Sequence, residues 1–211
     1  MSQDNTLHNS PYDDEDARLM LAVQANDAFA FEELMSRNQA RVCAFMQRLV
    51  GNSHTAEDLT QEVFMRVYKH RATYRHEAKF STWLYRIAHN VAYNELRSRS
   101  RRPEALFSSM SSSTSMSTKI GFEDGIVSRS GATPTRKIAQ LELQAVVRAA
   151  IDALGPRQRE VIMLSRFEGM NYQQIANVMN LTPQAVKSLL SRARLNLKEA
   201  LAPYVNQGKR P

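Results

Sequence analysis

The chain has 211 residues, room for one medium domain or two small ones, and its 28 Lys and Arg against 21 Asp and Glu leave a net charge of +7. A single cysteine, Cys43, excludes an internal disulfide and a multi-cysteine zinc site. No apolar run approaches the roughly 18 residues of a membrane span, and the polar, acidic N-terminus does not read as a signal peptide, so a cytoplasmic protein without membrane insertion is expected.

The charge is unevenly spread. Residues 1–16 carry five acids and no base, whereas residues 17–103 carry 14 bases against 8 acids. Residues 104–140 are nearly balanced, and residues 141–211 carry 10 bases against 5 acids. Two basic blocks behind an acidic tail suggest a polyanionic partner touched at two places; a merely soluble basic protein has the same composition.

The periodicity is helical throughout, which predicts an all-α protein. After an acidic disordered tail over 1–15, helical patterns occupy 16–25, 28–50, 56–70 and 79–101. Cys43 falls in the second, beside Val42, Ala44 and Phe45, where a buried, inert thiol is expected. On the third, Asp58, Gln61, Glu62 and Met65 share one face, opposite Leu59, Val63 and Val67.

The stretch 79–102, KFSTWLYRIAHNVAYNELRSRSRR, carries two faces. At about 100° per residue, Phe80, Leu84, Ile87 and Val91 form an apolar stripe. Round from it lie Trp83, Asn90, Asn94, Arg97 and Arg101, with Lys79 and Arg86 at the edge. Cations suit phosphates, amides suit base edges and a ring suits stacking, which together make a nucleic-acid surface. The alternative is a core helix whose basic end complements its dipole, with Trp83 as core support.

Between 104 and 135 the pattern collapses into SSMSSSTSMST and then Gly, Asp, Ser and Pro, which reads as a flexible linker. As a random coil it would span roughly 30 Å. It divides the chain into two small helical domains, 16–103 and 136–205, with a short tail at 206–211. The second holds helical patterns at 136–153, 157–167, 172–179 and 183–201. Asn171 and Gln174 stand at capping-box spacing, Asn180 and Leu181 make a tight turn, and Thr182 and Pro183 are an N-cap and first helical position. Ala176 provides a small residue at a helix crossing, Asn180 suits a left-handed turn, and Val186 inserts between the helices. This is a helix-turn-helix. In its second helix Val186, Leu190, Ala193 and Leu197 share one face, while Gln184, Lys187, Ser188, Ser191, Arg194 and Lys198 line the other and Arg192 flanks it. A plain helical corner with a solvated charged face is the structural alternative.

Residues 74–90, YRHEAKFSTWLYRIAHN, closely resemble the promoter-melting segment of extracytoplasmic-function sigma factors, RNA polymerase specificity subunits of the sigma-70 class. Residues 56–68, AEDLTQEVFMRVY, resemble the family's polymerase-binding helix, and residues 154–201 its C-terminal promoter-binding domain. The resemblance implies that Asp58, Gln61, Glu62 and Met65 meet the clamp helices of the largest subunit of core RNA polymerase. It places capture of a flipped base on 71–79, and contact with the -10 region on Arg75, Lys79, Trp83, Arg86, Asn90, Asn94, Arg97 and Arg101. The -35 element falls to Gln184, Lys187, Ser188, Ser191 and Arg192, with Arg194 on a phosphate. Where the family commonly has Lys-Ser-Arg-Leu, this chain has Lys187-Ser188-Leu189-Leu190, one backbone cation fewer. An anti-sigma factor is a further implied partner.

No nucleophile and base set, Walker loop or metal-spaced cluster occurs, and the five histidines are scattered. No catalytic residue, metal or cofactor is therefore expected. The competing function is a helix-turn-helix regulator acting without core polymerase; a phosphate-handling enzyme has no supporting motif.

Overall fold

Helix boundaries in this chain are set largely by short polar side chains that satisfy the first free backbone N–H groups. The computed structural model describes residues 14–101 and 134–206. Helix α1 spans Glu15–Gln24, α2 Ala28–Val50, α3 Ser53–Lys69 and α4 Phe80–Arg101, with a 3-10 turn at Arg71–Thr73. After the gap come α5 (Pro134–Asp152), α6 (Pro156–Ile162) running into a π-helical turn at Met163–Phe167, α7 (Tyr172–Met179) and α8 (Pro183–Asn206). Among the described residues there is no strand, and no helix is long and apolar enough to cross a membrane.

The chain divides into two compact units, residues 1–97 and 98–211. In the first, α2 packs against α1 and α3. Asp27 caps α2 by accepting from Ala30 N at 3.1 Å, and Asn52 caps α3 by accepting from Thr55 N at 2.9 Å. Gly51, at φ 74°, lets α2 stop sharply in the left-handed conformation, which a residue with a Cβ adopts only at a cost. Met20, Leu34, Val42, Phe45, Met46, Val63, Leu84 and Tyr85 form the fully buried centre, and the Phe45 and Tyr85 rings meet edge to face at 5.0 Å. Each such side chain contributes about 1.5–3 kcal/mol through removal from water.

In the second unit α5, α6 and α7 all pack on α8. Val161, Leu164, Ile175, Val186, Leu190 and Ala193 are buried at its centre. Arg159 closes the end of α5 by donating to the carbonyls of Asp152 and Leu154.

Several expectations shift. Asp14 and Glu15, grouped with the tail on charge alone, are the N-cap and first residue of α1. Helix α3 begins at Ser53 rather than 56, because its start is set by the Asn52 cap and not by its first apolar residue. Cys43 is half-buried rather than buried. The expected linker lies outside the described residues apart from Pro134 and Thr135, which open α5; Asn206, assigned to the end tail, closes α8. Helix α8 continues past 201 through Pro203 in its last turn.

Candidate nucleic-acid and polymerase interfaces

On α3, Ala56, Thr60, Val63, Phe64 and Val67 are buried and turn the opposite face outward. Asp58 and Gln61 are exposed and Met65 is 67% exposed. Glu62 is half-buried, and its Oε1 accepts from Arg66 Nε at 2.6 Å, one helical turn on. Such an i,i+4 pair at the surface is worth only about 0.3–0.5 kcal/mol, so a partner can displace it. The same face continues to Tyr68, which periodicity did not single out. Its ring lies 5.1 Å from Phe31 and 4.2 Å beneath the Arg71 guanidinium, and it remains 43% exposed.

The loop between the 3-10 turn and α4 is held from both ends. Gln24 Nε2 on α1 donates to the Tyr74 carbonyl at 2.9 Å. Asp14 Oδ2 accepts from Phe80 N at 2.7 Å, while its other oxygen accepts from Ala17 N at 3.4 Å. One carboxylate thus caps α1 and α4 together. Tyr74 is buried, its ring edge to face with Trp83 at 5.1 Å and with Phe80 at 6.0 Å. Its hydroxyl is buried without a hydrogen-bond partner, and burial, then the Asp14 charge, pushes its pKa up to about 12. Arg75 is exposed on the loop, 3.9 Å from Glu77, and Lys79 is half-buried at its end.

Helix α4 buries a broader and differently centred arc than its apolar stripe predicts. Phe80, Leu84 and Val91 are buried as expected, but Ile87 is only half-buried, whereas Tyr85, Ala88 and Ala92 are buried on the other side of the stripe. Small Ala and amphipathic Tyr carry little weight in a hydrophobic pattern, yet here they meet the core. The face opposite this arc holds Arg86, Asn90, Asn94, Arg97 and Arg101, all exposed. Trp83, placed between stacking and core support, is half-buried with its ring against Tyr74 and Phe80 (6.0 Å). The two further aromatics on α4, His89 and Tyr93, are stacked on each other.

The C-terminal unit builds its helix-turn-helix as the spacing requires. Asn171 Oδ1 accepts from Gln174 N at 2.9 Å and Gln174 Oε1 accepts from Asn171 N at 2.9 Å, closing the capping box. Asn180 ends α7 at φ 52°, and Thr182 Oγ1 accepts from Ala185 N at 3.2 Å to start α8. Val186, Leu190 and Ala193 are buried, and Leu197 is half-buried. Gln184, Lys187, Ser188, Ser191, Arg192 and Arg194 are all exposed. The Ser188 hydroxyl donates to the Gln184 carbonyl at 3.0 Å, leaving its oxygen available as an acceptor. Leu189 is half-buried on the flank beside Arg192.

Residues 34–102 match the family model for sigma-70 region 2, and residues 144–197 match that for sigma-70 region 4. The chain is 32% identical to the RNA polymerase sigma-H factor of Pseudomonas aeruginosa, over 92% of this chain and 97% of that protein. It is 31% identical to the ECF RNA polymerase sigma-E factor of Escherichia coli K12, over 91% and 97% of the two chains. Among solved structures, CnrH in complex with the cytosolic domain of CnrY has a similar fold, with a TM-score of 0.61 at 22% identity over 89% of this chain and 97% of that one. RpoE in complex with the anti-sigma factor NepR, from Bartonella quintana, gives a TM-score of 0.59 at 22% identity over 85% of this chain and 98% of that one. With both family regions matched in order and nearly the whole length aligned to curated relatives, the chain belongs to the sigma-70 family of RNA polymerase sigma factors, in its extracytoplasmic-function branch.

Proposed function

We propose a division of labour between the two units of this sigma factor: residues 16–103 dock on core RNA polymerase and open the -10 region, while residues 136–205 hold the -35 element. The observation that carries this reading is the pair of exposed polar helix faces, on α4 and α8, each backed by a buried apolar arc of its own unit. Docking uses Asp58, Gln61, Glu62 and Met65 on α3 against the basic clamp helices of the largest subunit. An acidic face gives orientation, and the flexible Met65 thioether fills contact area.

Opening proceeds by capture of an unstacked base in the loop 71–79. Unstacking costs a few kcal/mol, offset by stacking or hydrogen bonds in a fitted pocket. Asn90 and Asn94 contact the -10 region, and Arg75, Lys79, Arg86, Arg97 and Arg101 hold phosphates. The engagement of half-buried Trp83 with Tyr74 and Phe80 favours a supporting role behind the base-capture loop. On α8, Lys187, Ser188, Ser191 and Arg192 read the -35 bases, with Gln184 beside them and Arg194 on the backbone.

In this reading the chain works in the cytoplasm and performs no bond chemistry; the polymerase transfers nucleotides. An anti-sigma factor is a further proposed partner, as NepR is for the Bartonella RpoE. The test is reconstitution with core polymerase and a library of genomic promoters. Promoter-specific transcripts are expected, and their complete absence would overturn the reading.

A further inference from the structure

The face of α4 turned away from the core contains rings as well as cations and amides. Tyr93 is 46% exposed, and it stacks on half-buried His89, one turn earlier, with centroids 5.9 Å apart and an interplanar angle of 22°. At about 100° per residue, Tyr93 falls within roughly 40° of both Arg86 and Arg97 round the helix. Those two arginines stand on either side of it, about 16 Å apart along the axis at the usual rise. With Tyr85, Ala88, Ala92 and Thr82 buried, the outward face centres on Arg86, Asn90 and Arg97, and Tyr93 lies on its flank, exposed on the side toward half-buried His89.

An i,i+4 pair on a helix surface is worth only a few tenths of a kcal/mol to the helix, a small return for leaving a large ring in water. A ring held by a neighbour has, however, little rotamer freedom left to lose when a second flat group lies on it. Flanking guanidinium groups supply the attraction for a backbone that carries such groups.

We propose that His89 and Tyr93 form a stacking platform for an unpaired base of single-stranded DNA, with Arg86 and Arg97 holding phosphates on either side. An intact duplex is not the ligand, because its base faces are occupied by their own neighbours. The platform rests on the reading of α4 as the DNA-facing helix and adds to it a contact distinct from the base-capture loop. It requires the strand to continue along α4 after opening.

The test uses the full-length chain and a short single-stranded oligodeoxynucleotide with one 2-aminopurine, moved through the sequence in a series. Stacking on the platform is expected to quench the probe at one position. Tyr93→Ala and Tyr93→Leu should lose that quench and weaken binding roughly 5- to 100-fold, the range for loss of one aromatic platform, while Tyr93→Phe keeps both. The blunt duplex of the same sequence should bind without position-specific quenching and without sensitivity to Tyr93. Unchanged quenching in Tyr93→Ala and Tyr93→Leu, or no quenching with the wild-type chain, overturns the proposal. Promoter-specific transcription with core polymerase separates the two ideas. A chain that initiates while its Tyr93 variants quench normally loses only the platform; one that quenches but never initiates loses the sigma assignment of α4.

Discussion

Asp14 is the side chain whose removal tests most directly how helix α4 is held. It accepts from Phe80 N at 2.7 Å with one carboxylate oxygen and from Ala17 N at 3.4 Å with the other. Asp14→Ala removes both at once and leaves the first turns of α1 and α4 without a side-chain acceptor. Loss of an N-cap costs about 1 kcal/mol, and a short hydrogen bond to a charged acceptor about 1.5–3 kcal/mol, so with the longer bond discounted the total is about 2–3 kcal/mol. For a unit of this size each kcal/mol moves the midpoint by about 4–8 °C, which puts the expected drop near 10–20 °C.

Trp83 is the only tryptophan in the chain and packs on Phe80 and Tyr74, so its fluorescence follows the unfolding of this unit alone. Asp14→Asn retains one carbonyl oxygen and can serve one helix at a time; about half the loss is expected. A Trp83-detected midpoint for Asp14→Ala within about 0.5 kcal/mol of wild type would refute the double-cap argument, since that is the scale of an ordinary surface substitution.

Tyr74 carries a second expectation. Its pKa is raised to about 12 against an ordinary 10, so the unfolded chain gives up the phenolic proton first as pH rises. Stability from this group is therefore full below pH 10 and is lost as pH climbs through 12; Tyr74→Phe should flatten that part of a urea-midpoint profile and, by removing a buried unpaired hydroxyl, stabilise by about 1 kcal/mol. An unchanged alkaline slope would contradict it. Asn90→Ala, at an exposed position, should reduce promoter opening in permanganate footprinting at least several-fold more than it reduces polymerase capture in pull-down, and equal losses would count against a role in opening. Leu189→Arg should return a backbone cation beside Arg192, tightening -35 binding and steepening the log–log salt dependence by about one unit. A tighter complex with an unchanged slope would mean that the gain is not electrostatic.

The helix-turn-helix was almost wholly legible in the residues. Its determinants are local: Asn171 with Gln174, Asn180, and Thr182 with Pro183 act within a few positions of one another, and each occupies the geometry its chemistry demands. Helix α4 was legible in extent but not in orientation. Its stripe of large aliphatics pointed the buried side toward Ile87, whereas the neighbouring helices accept Tyr85, Ala88 and Ala92. Which flank of a helix is covered depends on what stands beside it, and a hydrophobic count ranks Ala and Tyr too low to reveal that. Tyr68 and Tyr93 escaped notice for the same reason, as rings read as interior until their exposure is seen.

The sequence by itself determined the all-α class, the positions of the helices, the distribution of charge and the family, because capping, helical period and residue identity act over a turn or two of chain. Only the tertiary structure decided that Asp14 belongs to the fold, through a bond to Phe80, 66 residues away. It also decided that Trp83 is engaged with Tyr74 and Phe80, and that the outward face of α4 is centred near Arg86, Asn90 and Arg97. Those outcomes depend on contacts between segments distant in sequence, where many pairings satisfy the local rules and close packing of the core selects one.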